Sequence, residues 1–292
     1  MKRNVRSLAV LGASGMLGQA LCRVARRRGL EVTGVDLHGA EVDLDIRQDA
    51  ALSAFCESRS YDCVINTCAI VNHAFCDQHP ADAYLLNARP SAVLSNLAHD
   101  RGFKYVYIST DGYFSGDGRG KHSEVAPMTL LNEYARTKYA GEVFTTRNPD
   151  ALVTRTNIVG FRGNPNQPTF VEWALGALKR GDPMTLFTDY FTSSISVAQF
   201  SEALLDLVAA DAVGTVNVAS SEVSSKAEFI TALAEAFGLS LANAQNGSVA
   251  TLTQSERADS LGLDVSKAES LLGYKLPGLC EVIAQLRSER DE

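Results

Sequence analysis

No apolar run in this sequence nears the ~20 residues that a membrane-crossing helix needs. The basic start Met1-Lys2-Arg3-Asn4-Val5-Arg6-Ser7 is followed only by Leu8 to Leu11 before Gly12. A secretory leader carries about 7–15 apolar residues there, so none is expected. Basic residues are in deficit: 27 Lys and Arg face 34 Asp and Glu, a net charge of −7. That argues against nucleic acid as the main partner, and a cytoplasmic protein away from membranes is the expectation. Cysteine is sparse and never spaced C-x-x-C. Cys63, Cys68, His73, Cys76 and His79 cluster, but their spacing fits no usual zinc pair, so no metal is expected. Repeats and low-complexity tracts are lacking too. What is present is 46% hydrophobic residues in a chain of 292, enough for a sizeable core without disulfides.

Ser7 to Leu11 is a short apolar run ending in glycine, which reads as a buried strand. Leu17, Leu21, Val24 and Ala25 recur at helical spacing, with Arg26-Arg27-Arg28 in the last turn and Gly29 at the stop. Further strands are expected at Glu31 to Val35, Asp62 to Asn66, Lys104 to Ile108 and Ala151 to Arg155. Helices are expected at about Ala81 to His99 and Asn132 to Thr146. Strands alternating with helices imply an α/β fold with a doubly wound parallel sheet of Rossmann type. After the turn-rich loop Phe161 to Pro168 the composition changes. Helices are expected at Phe170 to Lys179, Val197 to Ala210 and Lys226 to Phe237, short strands at Met184 to Phe187 and Thr215 to Val218, and a polar loop at Asn243 to Ser255. The expected division is a dinucleotide-binding domain, 1–156, and a smaller C-terminal substrate domain, 157–292, with about 190–219 returning to the Rossmann sheet.

Gly12-Ala13-Ser14-Gly15-Met16-Leu17-Gly18 lies between the first strand and the first helix. Glycines allow a sharp turn and close approach to a diphosphate, while the helix N-terminus offers unpaired N–H groups. Asp36, eighteen residues beyond Gly18, ends the second strand, where a carboxylate can accept both adenosine ribose hydroxyls. Tyr134 and Lys138 are four apart in an expected helix and share a face, so the ammonium can lower the phenol's pKa. Ser109-Thr110-Asp111 follows a sheet strand at its carboxyl end, where ligands of such folds bind.

With these three segments in this order, the chain resembles the extended short-chain dehydrogenases/reductases, and within them the dTDP-4-dehydrorhamnose reductase family of sugar-nucleotide reductases. The likeness runs through Asp45-Ile46, Asn66-Thr67-Cys68-Ala69, Ile108-Ser109-Thr110-Asp111, Tyr134 to Glu142 and Arg155-Thr156-Asn157 to Leu263-Asp264-Val265-Ser266-Lys267-Ala268-Glu269. The resemblance implies that Tyr134 is the general acid, Lys138 its tuner and ribose ligand, and Thr110 the hydroxyl that holds the substrate carbonyl. Asp111 would orient the sugar. Gly12, Ser14, Gly15, Met16, Leu17, Gly18 and Asp36 would hold the dinucleotide, with Asp45 and Ile46 at the adenine and Ala69, Ile70 and Val71 lining the cleft. NAD(H) is favoured because Asp36 repels a 2′-phosphate, although nearby arginines permit NADP(H).

The sequence also departs from the family. Ile158 stands where a tryptophan packs on the sugar, Gly112 replaces the aromatic after Asp111, and Thr192-Ser193-Ser194-Ile195 replaces Gly-Ser/Ala-Pro-Thr. The glutamates that bind magnesium at a dimer contact in some relatives have no match, while a homodimer remains compatible. Gly112 also replaces the glutamate of the 4,6-dehydratases, which leaves β-elimination without its base. The expected activity is NAD(P)H-dependent reduction of a keto group on a nucleotide-activated sugar. A sugar-nucleotide epimerase with tightly held NAD, a regulatory subunit that binds NADP without turnover and a structural subunit stay open.

Overall fold

The computed structural model describes residues 4–251 and 258–291. The chain begins with β1 (Ser7–Leu11), α1 (Met16–Arg27), β2 (Glu31–Asp36), β3 (Val42–Asp43), α2 (Asp49–Ser58) and β4 (Cys63–Asn66). It continues through α3 (His73–Gln78), α4 (Pro80–Asn87), α5 (Arg89–Arg101), β5 (Lys104–Ile108), α6 (Glu133–Thr145) and β6 (Leu152–Arg155). Next come β7 (Ile158–Val159), α7 (Phe170–Arg180), β8 (Met184–Phe187), β9 (Phe191–Thr192), β10 (Ile195–Ser196), α8 (Val197–Ala209) and β11 (Gly214–Asn217). The last described elements are β12 (Ser224–Ser225), α9 (Lys226–Ala236), β13 (Ala244–Gly247), β14 (Ser260–Leu261), α10 (Ser266–Leu272) and α11 (Leu279–Asp291).

Seven strands form one parallel sheet in the order β11-β6-β5-β4-β1-β2-β3. The chain winds outward from β1 through β2 to β3, then restarts at β4 on the other side of β1. The reversal opens a crevice at the carboxyl ends of β1 and β4, where such sheets take ligands. Both faces of the sheet are covered, so β4, β5 and β6 are buried along their whole length. On one face Leu17, Leu21 and Val24 of α1 share a core with Phe200, Leu204 and Leu207 of α8. On the other, Leu52 and Phe55 of α2 meet Leu94 of α5 and Tyr105 of β5.

The later segments build their own core from Val171, Leu175, Phe229, Leu233, Val282 and Leu286. Two capping boxes start its helices: Thr169 with Glu172 on α7, and Ser225 with Glu228 on α9. Three small sheets pair β7 with β10, β8 with β13, and β9 with both β12 and β14.

Two expectations change. The single helix expected from Ala81 to His99 is two helices broken at Ala88. Pro90 has no N–H to continue the ladder, and Asn87 turns inward to bond Ile70 and Thr137. The polar stretch 243–255 begins as a strand, β13, in register with β8; its residues 252–255 lie outside the described residues. Among the described residues no helix is long and apolar enough to cross a membrane, and no group of three or more His, Cys, Asp or Glu side chains is placed to hold a metal ion.

Candidate active site

The turn after β1 is shaped by what a side chain would strike. Gly12 sits at φ +84°, and a Cβ there would stand 2.6 Å from Thr67 Oγ1. A Cβ on Gly18 would run into the carbonyl oxygen of Gly12, so α1 can start this close to β1 only with glycine. Gly12 and Ala13 donate to Val35 O at 2.8 and 3.1 Å, tying the turn to the end of β2. Asp36 completes the tie. Its Oδ2 accepts from Ser14 N at 3.0 Å and Ser14 Oγ at 2.5 Å, and its Oδ1 from Leu37 N at 2.7 Å.

A cleft of about 810 Å³ runs along this turn. All the positions expected to hold the dinucleotide line it: Gly12, Ser14 to Gly18, Asp36, Asp45, Ile46, Ala69 to Val71, Tyr134 and Lys138. The residues present therefore fit a dinucleotide: a glycine cradle open at a helix N-terminus, with a carboxylate at the end of β2. Arg47, Arg162, Asn164 and Gln167 also line it and were not anticipated. Arg47 follows the expected Asp45-Ile46 directly, and its guanidinium is taken by Asp45 at 2.8 Å, which holds that carboxyl below its ordinary range. Arg162, Asn164 and Gln167 belong to the loop that the sequence marked only as turn-rich.

A second cavity of about 530 Å³ adjoins the first. Val71, Thr110, Asp111, Tyr134, Asn157 and Ile158 line both, so Thr110 and Tyr134 stand where the two spaces meet, while Lys138 lines the first alone. The second cavity is otherwise walled by His73, Asn132, Phe170, Trp173, Phe187, Tyr190 and Lys226 among others. Of these the sequence drew attention only to His73, within the Cys/His cluster set aside as a metal site.

Asn132 caps α6 by accepting from Ala135 N at 2.9 Å, which puts Tyr134 in the first turn. The His73 ring lies stacked on the Tyr134 ring, centroids 4.9 Å apart. Enclosure pushes the Tyr134 phenol up to about 12, opposed by a hydrogen bond with Thr110. Lys138, one turn on, is buried; its Nζ donates to Ile108 O at 2.7 Å and lies 4.2 Å from the Tyr107 ring centroid. Burial brings the Lys138 amine down to about 7, partly countered by Glu142. The expected depression of the Tyr134 pKa by Lys138 is thus not what this arrangement gives, because loss of water outweighs the Thr110 hydrogen bond at the phenol and the Glu142 charge at the amine.

Asp111 is 4% exposed and accepts from Asn157 Nδ2 at 2.7 Å. Burial raises its carboxyl to about 7, against the pull of Asn157 and of Lys226. Thr110 Oγ1 accepts from Gly112 N at 3.1 Å and donates to Asp111 Oδ1 at 3.4 Å.

A parallel sheet with a glycine-cradle cleft, and Thr, Tyr and Lys gathered at its mouth, define an extended short-chain dehydrogenase/reductase. The chain belongs, more narrowly, to the family of the RmlD substrate binding domain, whose model matches residues 6–289. It is 29% identical over 290 residues to the probable low-salt glycan biosynthesis reductase Agl14 of Haloferax volcanii, covering 96% of each chain. It is 30% identical over 223 residues to the dTDP-4-dehydrorhamnose reductase of Mycobacterium tuberculosis, covering 74% of this chain and 70% of that one. Among solved structures, the dTDP-4-dehydrorhamnose reductase of Bacillus anthracis in complex with NADP superposes with a TM-score of 0.88 at 22% identity, covering 98% of this chain and 100% of that one.

Proposed function

We propose that this protein reduces a keto group on a nucleotide-activated sugar, with a 4-keto-6-deoxy nucleotide sugar as its substrate class and NAD(H) as the favoured cofactor. The observation that carries this is the meeting of two cavities at Thr110, Asp111 and Tyr134. The relatives named as a dTDP-4-dehydrorhamnose reductase and a probable glycan biosynthesis reductase support it. In this reading the first 156 residues hold the dinucleotide, and the segments after 157 hold the sugar, α8 and β11 excepted.

A nicotinamide cofactor held by the glycine turn, Asp36 and Lys138 would supply the hydride for the carbonyl carbon. Tyr134 holds a proton on its phenol oxygen and passes it to the carbonyl oxygen. Thr110 gives a hydrogen bond to the same oxygen and so fixes the face presented. Lys138 holds the ribose beside the nicotinamide, its position set by Ile108 O. Asp111, held by Asn157, takes a sugar hydroxyl. Asp36 ends β2 with its carboxylate on the cleft, where it accepts ribose hydroxyls and repels a 2′-phosphate. Arg47, already engaged by Asp45, is poorly placed to offset that repulsion.

Mixing purified protein with NADH and a 4-keto-6-deoxy nucleotide sugar tests this. Stoichiometric loss of reduced-nicotinamide absorbance is expected. Interconversion of sugars with no net absorbance change would overturn reduction in favour of epimerisation.

A further inference from the structure

Lys226, the first residue of α9, projects into the second cavity. Its Nζ is ringed by aromatic faces, 4.4 Å from the Phe170 centroid, 5.7 Å from Tyr190 and 6.0 Å from Phe229. Among the described residues its Nζ makes no hydrogen bond, and the one opposite charge acting on it is that of Asp111. Asp111 in turn is occupied by Asn157. Lys226 is also the only lysine or arginine among the described residues lining this cavity. Taking an ammonium out of water is costly, and aromatic faces return only part of that cost. Three N–H donors that no described residue accepts therefore call for a ligand that brings acceptor oxygens and negative charge.

A nucleoside-diphosphate sugar carries such a group. Its diphosphate cannot enter a partly dry cavity without a counter-charge. We infer that the Lys226 ammonium binds the diphosphate of the nucleotide sugar, and so fixes how far the sugar reaches toward Thr110 and Tyr134. This rests on the nucleotide-sugar reading above. Asp111 and Lys226 then divide the substrate: the carboxyl takes the neutral sugar, and the ammonium takes the anion. Trp173, the only tryptophan of the chain, lines the same cavity and is 47% exposed, so its fluorescence reports occupancy without turnover.

The test is titration of wild type, Lys226→Met, Lys226→Gln and Lys226→Arg with dTDP, UDP and GDP, and with thymidine, uridine and guanosine. Heat and Trp173 fluorescence are the readouts, and NADH titration confirms that each variant is folded. Wild type is expected to bind at least one diphosphate more tightly than its nucleoside. The Met and Gln variants should lose about ten- to a hundredfold on the diphosphate and nothing on the nucleoside or NADH, while Arg keeps most of the affinity. A Met or Gln variant that binds the diphosphate as wild type does, or loses nucleoside affinity equally, overturns the assignment alone. Wild type that binds no nucleoside diphosphate overturns the nucleotide-sugar reading and this inference with it.

Discussion

Asn157 donates its amide to the Asp111 carboxyl at 2.7 Å, and its own oxygen accepts from Ser194 Oγ at 2.8 Å. Ser194 and Thr192 hydroxyls lie 3.0 Å apart, so a continuous buried relay runs from β9 to the mouth of both cavities. The segment Thr192-Ser193-Ser194, where the chain departs from its family pattern, is what holds Asp111 in place. Ser193 adds a second tie by accepting from Leu263 N at 3.0 Å.

The raised Asp111 carboxyl makes stability depend on pH. With a folded value of about 7 against an ordinary 3.8, the folded state binds more protons between those limits. Stability therefore falls as pH rises through that window, by at most about 1.4 kcal/mol per pH unit. Asp111→Asn should remove this fall. Melting temperatures of the two proteins across pH 4 to 8 should diverge in favour of the variant toward the alkaline end, on the order of a few degrees. Parallel curves would mean that Asp111 ionises normally in the fold.

Tyr134→Phe deletes one hydroxyl and leaves α6 and the His73 stack in place. Turnover should drop by about 10²–10⁴-fold, with NADH affinity within a factor of about two. Steady-state rates beside NADH titration decide it; near wild-type turnover would remove Tyr134 from the chemistry.

Asp36→Asn keeps an acceptor for Ser14 and removes the charge. Wild type should bind NADH several-fold tighter than NADPH, and the variant should bring that ratio to about one. Calorimetry with both cofactors is the measurement. An unchanged ratio would place the 2′-position away from the end of β2.

Gly18→Ala forces a methyl against the Gly12 carbonyl and the Ala13 backbone. Overpacking of this kind costs about 1–3 kcal/mol, and here the atom that must move is the cofactor turn itself. Urea unfolding should show a loss of that size, and NADH binding should weaken with it. Wild-type values for both would show that the turn yields freely.

The dinucleotide half of the site was legible because its chemistry is local in the chain. A strand, three glycines and the first turn of a helix occur within twelve residues, Ser7 to Gly18, and each constrains the next. Tyr134 and Lys138 were legible for the same reason, one helical turn apart. Of the substrate half, only Thr110, Asp111 and the Ile158 position were. His73, Trp173 and Lys226 come from α3, α7 and α9, and only the folded chain brings them to one wall. The break at Ala88 was readable from Pro90 but was outweighed by the apolar period on either side. Helix α2 escaped notice although Leu52, Phe55 and Cys56 have helical spacing, and α11 likewise despite Val282, Ile283 and Leu286. In each the buried stripe is a few residues wide and meets its partner far along the sequence.

Strand β11 pairs with β6, and α8 lies across α1, with Arg28 bonded to Glu202 and Asp206. The chain thus leaves the sheet after β6, starts the neighbouring body, returns with α8 and β11, and leaves again. A fragment ending at residue 156 would bare Leu17, Leu21 and Val24 to water and leave β6 as an unpaired edge, a surface prone to self-association. The nucleotide-binding half is in this sense finished only by residues made after the sugar-side body has begun. A nascent chain must therefore keep that half waiting, and the earliest point on the ribosome at which it can close is after Asn217 has emerged.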